Sequence, residues 1–232
     1  MNLKELLLAQ YDSFPFHRHP FWMAVKERRL SLSEVLAGEA QHYLRTKAGR
    51  ELRRQAAQFA RASSPILFEA IVETYVEECT DSKDSPSHLA LIKRLLFEGG
   101  YTEAMLEQLA NTPGNIAAIA LYRDIAERGV AHHLVGAGTV EYFYADLSSD
   151  IYNVYTSHYG MSEYQAETYR IHGPMDKIHA DRAFSVLPEI EKDYDPKDLI
   201  AAVRDAFVAT SLHYDGMYQA ATGQVQYWNG RD

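Results

Sequence analysis

Residues 168–184 read TYRIHGPMDKIHADRAF, and three of them, His172, Asp176 and His179, set the reading of the whole chain. At about 100° per residue on an α-helix, offsets of zero, four and seven fall within an arc of roughly 60°. Two imidazoles and one carboxylate would then project from a single face within two turns. Neutral nitrogen donors beside one hard oxygen donor suit iron, manganese or zinc. A solvated helix face can carry the same pattern, so the upstream sequence has to decide. Gly173 and Pro174 fall inside the motif. Proline lacks an N–H and clashes with the carbonyl four residues back, here that of Arg170. The helix is therefore expected to kink or restart at Pro174.

The upstream candidates are Glu77, His88 and Glu141. In ILFEAIVETYVEE, residues 66–78, Glu69, Glu73 and Glu77 recur every four residues on one strip, and Glu78 lies off it. The early carboxylate is open among Glu73, Glu77 and Glu78. His88 begins HLALIKRLLFE, across the loop TDSKDSPS at 80–87. Glu141 sits inside the apolar and aromatic run AGTVEYFYADL, residues 137–147. A carboxylate among such neighbours is expensive to bury unpaired, so a cation or donor is expected beside it.

Helix signals dominate elsewhere. Ser31 and Glu34 have capping-box spacing before EVLAGEAQHYL, Pro65 follows Ser64 at a first-turn position, and HLALIKRLLFE stops at Gly99–Gly100. Further helices are expected from Thr102, over roughly 115–127 and 130–145, from Ser162 and Glu163 through the triad, and after Pro196. No segment alternates with period two, and no internal repeat or linker divides the chain. The expectation is one all-α domain over residues 1–232, a bundle of about seven to nine helices with a polar tail, GQVQYWNGRD.

Composition narrows the function. A net charge of −9 disfavours nucleic acid, which needs clustered Lys and Arg. The basic groups Lys26–Arg28–Arg29 and Arg50–Arg53–Arg54 are short and mixed with Glu, as on solvated helix faces. No run of 18 apolar residues exists, so no membrane span is expected, and MNLKELLLAQYDSF lacks the features of a signal peptide. Cys79 is the single cysteine, which makes a reducing, cytoplasmic setting the expectation. It follows two glutamates, which would raise its thiol pKa, so a structural role is favoured over a nucleophile.

The order Glu, His, Glu, then H-x3-D-x2-H on a late helix resembles the heme-oxygenase-like diiron oxidases, the family of the chlamydial CADD protein. The resemblance extends to the opening HPFWMAVKERRLSLSEVL, which is similar to the first-helix pattern of the PqqC and TenA relatives. It implies a heme-oxygenase-like bundle with two iron ions and O2 as co-substrate. One iron would lie among Glu77, His88 and Glu141, the other among His172, Asp176 and His179, with a carboxylate bridging. The Glu77-to-His88 interval of eleven residues is longer than in CADD-like members. The implied activity is oxidation of a small carboxylate-bearing substrate, an amino acid or fatty acid, with Arg45, Arg170 or Arg182 as candidate clamps. The outcome would be C–C or C–H cleavage, desaturation or N-oxygenation. A homodimer is left open.

Two alternatives remain. CADD-like members oxidise one of their own tyrosines, and sixteen tyrosines are present, among them Tyr142, Tyr144, Tyr152, Tyr155, Tyr164 and Tyr169. The CADD tyrosine four residues before the first triad histidine is Thr168 here, which ranks self-oxidation second. A cofactor-free PqqC-like oxidase or TenA-like thiamin hydrolase would need no metal. Glu39-x-x-His42 has ferritin-like spacing, but only one such pair exists, so a pocket-lining or surface role is favoured.

Overall fold

Short polar residues start most of the helices, and their side chains accept the otherwise orphaned N–H groups of the first turn. Asn2 and Ser31 form full capping boxes with Glu5 and Glu34, while Ser64, Ser87, Thr102 and Asp195 cap through their side chains alone. In a computed structural model that describes residues 2–82 and 85–231, these signals open six of eleven α-helices. They are α1 Leu3–Leu8, α2 Pro20–Lys26, α3 Leu32–Ser63, α4 Pro65–Cys79, α5 His88–Glu98, α6 Glu103–Glu107, α7 Pro113–Arg128, α8 Val130–Ser157, α9 Glu167–Ser185, α10 Leu187–Asp193 and α11 Pro196–Thr222. No strand occurs among the described residues.

The expected seven to nine helices become eleven because α1, α2 and α10 hold only six, seven and seven residues. Segments of two turns or fewer carry no readable periodicity, and local caps decide them. Two other expectations shift. Ser162 starts a turn, in which its hydroxyl accepts from Gln165 N–H, and α9 begins only at Glu167. The helix also continues through Pro174 without restarting.

The long helices pack as a bundle in which α3, α8 and α11 meet centrally and α9 lies along α8. Missing side chains let α8 and α9 approach. A Cβ on Gly138 would stand 2.2 Å from the Ala183 methyl, and one on Gly173 would stand 2.9 Å from Ser149 Oγ. Gly173 therefore serves the helix contact, whatever it costs the helix. Between α7 and α11 the contact is backbone to backbone, with a Cβ on Gly114 only 2.6 Å from Gly216 N. At the other end Phe16, Phe21, Trp22, Phe207 and Tyr214 form an aromatic core, which Trp228 of the tail joins through His19.

Gly138→Ala should therefore destabilise the fold by about 1–3 kcal/mol, the usual cost of overpacking. Moving the methyl across the interface, as Gly138→Ala with Ala183→Gly, should recover most of that loss. Denaturant midpoints of the wild type, the two single variants and the pair measure it. A double variant no more stable than Gly138→Ala would show that this contact does not set the helix spacing.

Candidate metal centre

Helical phase decides which acidic residue of α4 faces inward. Leu67, Ile71, Thr74 and Glu78 fall within about 60° of one another, and three of the four are buried. Glu78 is thus the end of the core stripe, with its side chain 6 % exposed. Glu77 is turned about 100° away and is 35 % exposed.

Around Glu78 the other elements converge. His88, the first residue of α5, donates Nδ1–H to Glu78 Oε2 at 3.1 Å. From α9, His172 Nε2 lies 3.4 Å and His179 Nδ1 3.8 Å from Glu78 Oε1. From α3, Arg53 donates to Glu78 Oε2 at 2.8 Å and to Glu141 Oε1 at 2.9 Å. Potential ligand atoms within 4.8 Å of one another form two triplets, Glu78–His88–His172 and Glu78–Asp176–His179, with Glu78 common to both.

The imidazoles are aimed by their second nitrogens. His172 donates Nδ1–H to the Thr168 carbonyl at 2.6 Å, which leaves Nε2 facing the cluster. His179 donates Nε2–H to Glu77 Oε2 at 3.1 Å, which leaves Nδ1 facing Glu78 and Glu141. Glu77 in turn is gripped by Arg182 at 2.8 Å. Fixing one nitrogen by hydrogen bonding while presenting the other is how ligating histidines are held in metal sites.

The atoms left over test whether a cation fits. His172 Nε2, Asp176 Oδ2 and His179 Nδ1 are buried without a hydrogen-bond partner among the described residues. Orphaned polar atoms are uncommon in interiors, and three of them around one carboxylate mark a place for a ligand. The charges agree. Burial would raise Glu78, but Arg53, His172 and His88 outweigh it and hold the carboxyl well below its usual range. Burial would lower His172, but Glu78 and Asp176 outweigh it and raise the imidazole to about 9. Asp176 is pushed well above the ordinary carboxylate range, first by burial and then by Glu141 and Glu78. The cluster lacks positive charge.

All six sequence candidates stand in this region, but unequally. His88, His172, Asp176 and His179 belong to the triplets. Glu141, 13 % exposed, is held by Arg53 with Oε2 3.8 Å from His179. Glu77 stands behind His179, and Glu73 is farther out on Arg182. Of the candidate clamps, Arg170 is exposed and paired with Glu167, Arg182 is paired with Glu73 and Glu77, and Arg45 lines a cavity.

That cavity encloses about 1110 Å³, part of it open to solvent, and borders Glu78, His88, Glu141, His172 and Asp176. Tyr144 lines it, while Tyr142 and Tyr164 are exposed. Glu39 and His42 form a buried network: Glu39 accepts from Tyr155 and Tyr169 O–H and pairs with His42 Nδ1. Sequence reasoning placed Arg53 on a solvated face. Its signal was its phase, since His42, Thr46, Gly49 and Arg53 share one stripe of α3 and all line the cavity.

Solved structures with the same fold include a heme-oxygenase-like domain of unknown function from Shewanella denitrificans. It is 15 % identical, with a TM-score of 0.76, and the match covers 94 % of this chain and 93 % of that one. A CADD-like protein of unknown function from Nostoc punctiforme is 13 % identical with a TM-score of 0.74, and 97 % of each chain is covered. No curated protein matches the sequence. The family model described as iron-containing redox enzyme matches residues 48–214, most of the chain and nearly all of the cluster above, and the chain belongs to that family.

Proposed function

We propose that this chain is a non-haem diiron oxidase or oxygenase that acts, with O2, on a small substrate held in the cavity. The observation that carries the reading is the sharing of Glu78 between two three-residue ligand sets. Glu78, His88 and His172 would hold one ion and Glu78, Asp176 and His179 the other, with Glu141 in reserve on Arg53. Two iron ions bound there would supply the electrons that reduce O2. The chain supplies the rest. Glu77 and the Thr168 carbonyl fix the tautomers of His179 and His172. Arg53 helps to hold Glu78 ionised where burial would favour a proton, and it also grips Glu141. Leu52, Leu89, Ile119 and Val140 give the cavity apolar lining, and charge interactions are stronger beside such low-dielectric surface.

A thiol-dependent hydrolase is poorly supported. Cys79 borders the cavity, but burial pushes its pKa up, so little thiolate would form. Oxidation of the chain's own tyrosine keeps one point in its favour, because Tyr144 lines the same cavity. No helix among the described residues is long and apolar enough to cross a membrane.

Anaerobic loading should give about two Fe(II) per chain, with both ions weakened in Glu78→Gln and roughly one lost in His88→Ala or His179→Ala. Glu77→Gln should keep both sites but weaken one by about 10–100-fold, the usual effect of losing a ligand's support. Wild-type protein that takes up only trace iron would end the reading. Intact mass after Fe(II) and O2 separates the two oxidase readings: an unchanged chain supports an external substrate, and an oxidised Tyr144 supports self-oxidation.

The His172–Asp176–His179 helix should be the labile half. Pro174 costs about 3 kcal/mol in a helix interior and Gly173 about 1 kcal/mol relative to Ala. Packing on α8 offsets part of that cost, and metal binding would offset more of it, because affinity and local order are linked. Amide exchange across α9 should slow on Fe(II) addition more than across α4. Equal protection with and without iron, in protein shown to bind it, would mean that α9 is fully preformed.

A further inference from the structure

Of the three arginines that line the cavity, Arg53 is paired with carboxylates, while Arg45 and the exposed Arg50 have no carboxylate partner among the described residues. Arg53, Arg94, Arg128 and Arg182 each reach a carboxylate. Arg45 is partly buried, and its contacts are Tyr122 Oη at 3.5 Å and the Tyr122 ring, whose centroid lies 5.1 Å away. No carboxylate pairs with it among the described residues.

The surroundings hold Tyr122 in one role. Thr210 Oγ1–H donates to the Ala206 carbonyl at 2.8 Å, so the 2.7 Å contact between Tyr122 Oη and Thr210 Oγ1 is donated by the phenol. Tyr122 therefore offers Arg45 only a lone pair, and most of the five guanidinium N–H groups stay free. One residue on, Thr46 Oγ1 is buried without a partner and lines the same cavity. Paired N–H donors and a hydroxyl around an apolar space are what a carboxylate head needs.

We propose that Arg45, aided by Thr46, is the clamp for the carboxylate of a small monocarboxylic acid that carries no α-ammonium group and whose body points toward the Glu78 cluster. This rests on the oxidase reading above and names its substrate class. The orientation follows from α3: Arg45 and Arg53 are eight residues apart, about 12 Å along the helix axis. Arg53 marks the metal-binding end through Glu78 and Glu141. Gly49 lies between the two on the same helix, and Ile119, Ala137, Val140 and Tyr144 also line the cavity. An α-ammonium group would sit beside the clamped carboxylate, where the neighbours are Tyr122, Tyr214, Thr210 and His213. None of them is anionic, and the cavity's carboxylates all belong to the far end.

Calorimetric titration of full-length, Fe(II)-loaded protein under anaerobic conditions tests this with octanoate, octanamide and 2-aminooctanoate. Octanoate should bind at least tenfold tighter than either analogue. Arg45→Gln should weaken octanoate at least tenfold and erase its advantage over octanamide, with Arg45→Lys intermediate and Arg61→Gln, exposed on the same helix, unchanged. Iron content, measured separately, should be the same in Arg45→Gln as in wild type. Equal binding of octanoate and octanamide by wild type, or wild-type octanoate affinity in Arg45→Gln, would overturn the clamp while leaving the metal reading intact. Tight 2-aminooctanoate binding would overturn the exclusion of amino acids. An Arg45-dependent preference for octanoate in protein that holds no iron would uphold the clamp and overturn the oxidase reading.

Discussion

Three carboxylates, those of Glu78, Glu141 and Asp176, share an interior in which Arg53, paired with Glu78 and Glu141, is the one arginine or lysine in contact with them among the described residues. That imbalance is the constraint on which the rest depends. An uncompensated buried charge costs several kcal/mol even after relaxation, and the one guanidinium reaches only two of the three carboxylates, so burial pushes Asp176 toward its protonated form. The histidines register the deficit: His172, which burial alone would keep neutral, is drawn toward protonation by Glu78 and Asp176. A proton is a poor remedy, because it leaves His172 Nε2, Asp176 Oδ2 and His179 Nδ1 without partners. Divalent cations would satisfy both the charge and the orphaned atoms.

Holding such a cluster together requires close helices, and the small residues provide them. The Glu141 side chain meets His179 only because α8 and α9 approach at Gly138–Ala183 and Ala145–Gly173. A bulkier residue at either point would push apart the helices that carry Glu141 and the triad. The same contact explains why α9 tolerates Pro174. The helix loses one backbone hydrogen bond there, but its buried face, with Tyr169, His172, Asp176, His179, Ala180 and Ala183, is packed on both sides of the proline. In most proteins helical stability comes from such packing rather than from propensity.

Much of this was legible in sequence, and the rest failed for definite reasons. Capping residues marked α3, α4 and α6, Pro196 marked the start of α11 and Gly99–Gly100 the end of α5, because the chemistry of helix ends is local. The triad spacing survived because offsets of four and seven hold in any helix that continues. Choosing between Glu77 and Glu78 needed the phase of α4, and a four-residue repeat of glutamates drew attention to the wrong stripe. Leu67 and Ile71 mark the buried face, and Glu78 continues it. Arg53 was hidden for a similar reason: its neighbours Arg50 and Arg54 are exposed or partly so, and a basic run looks solvated until its phase is compared with His42 and Gly49. The α8–α9 approach was not legible, since nothing in a glycine says which helix it will meet.

Behind His88 a second polar layer fixes what the first layer can do. Glu39 is fully buried, and two phenols and an imidazole surround it. Burial and the Glu39 charge push Tyr155 and Tyr169 well above their usual pKa, so both remain O–H donors at any working pH. His42, held by Glu39 at 3.1 Å, stands edge-on to the His88 ring at 5.2 Å and 85°. The His88 ring is thus braced by a network whose two phenols stay O–H donors, while its Nδ1 side faces Glu78. Tyr169 and His172 are both on α9, so the helix that presents the triad also anchors this brace. Glu39 and the Glu78 cluster are therefore linked through α9 and a ring contact, and a substitution at Glu39 would act on the cluster without touching it.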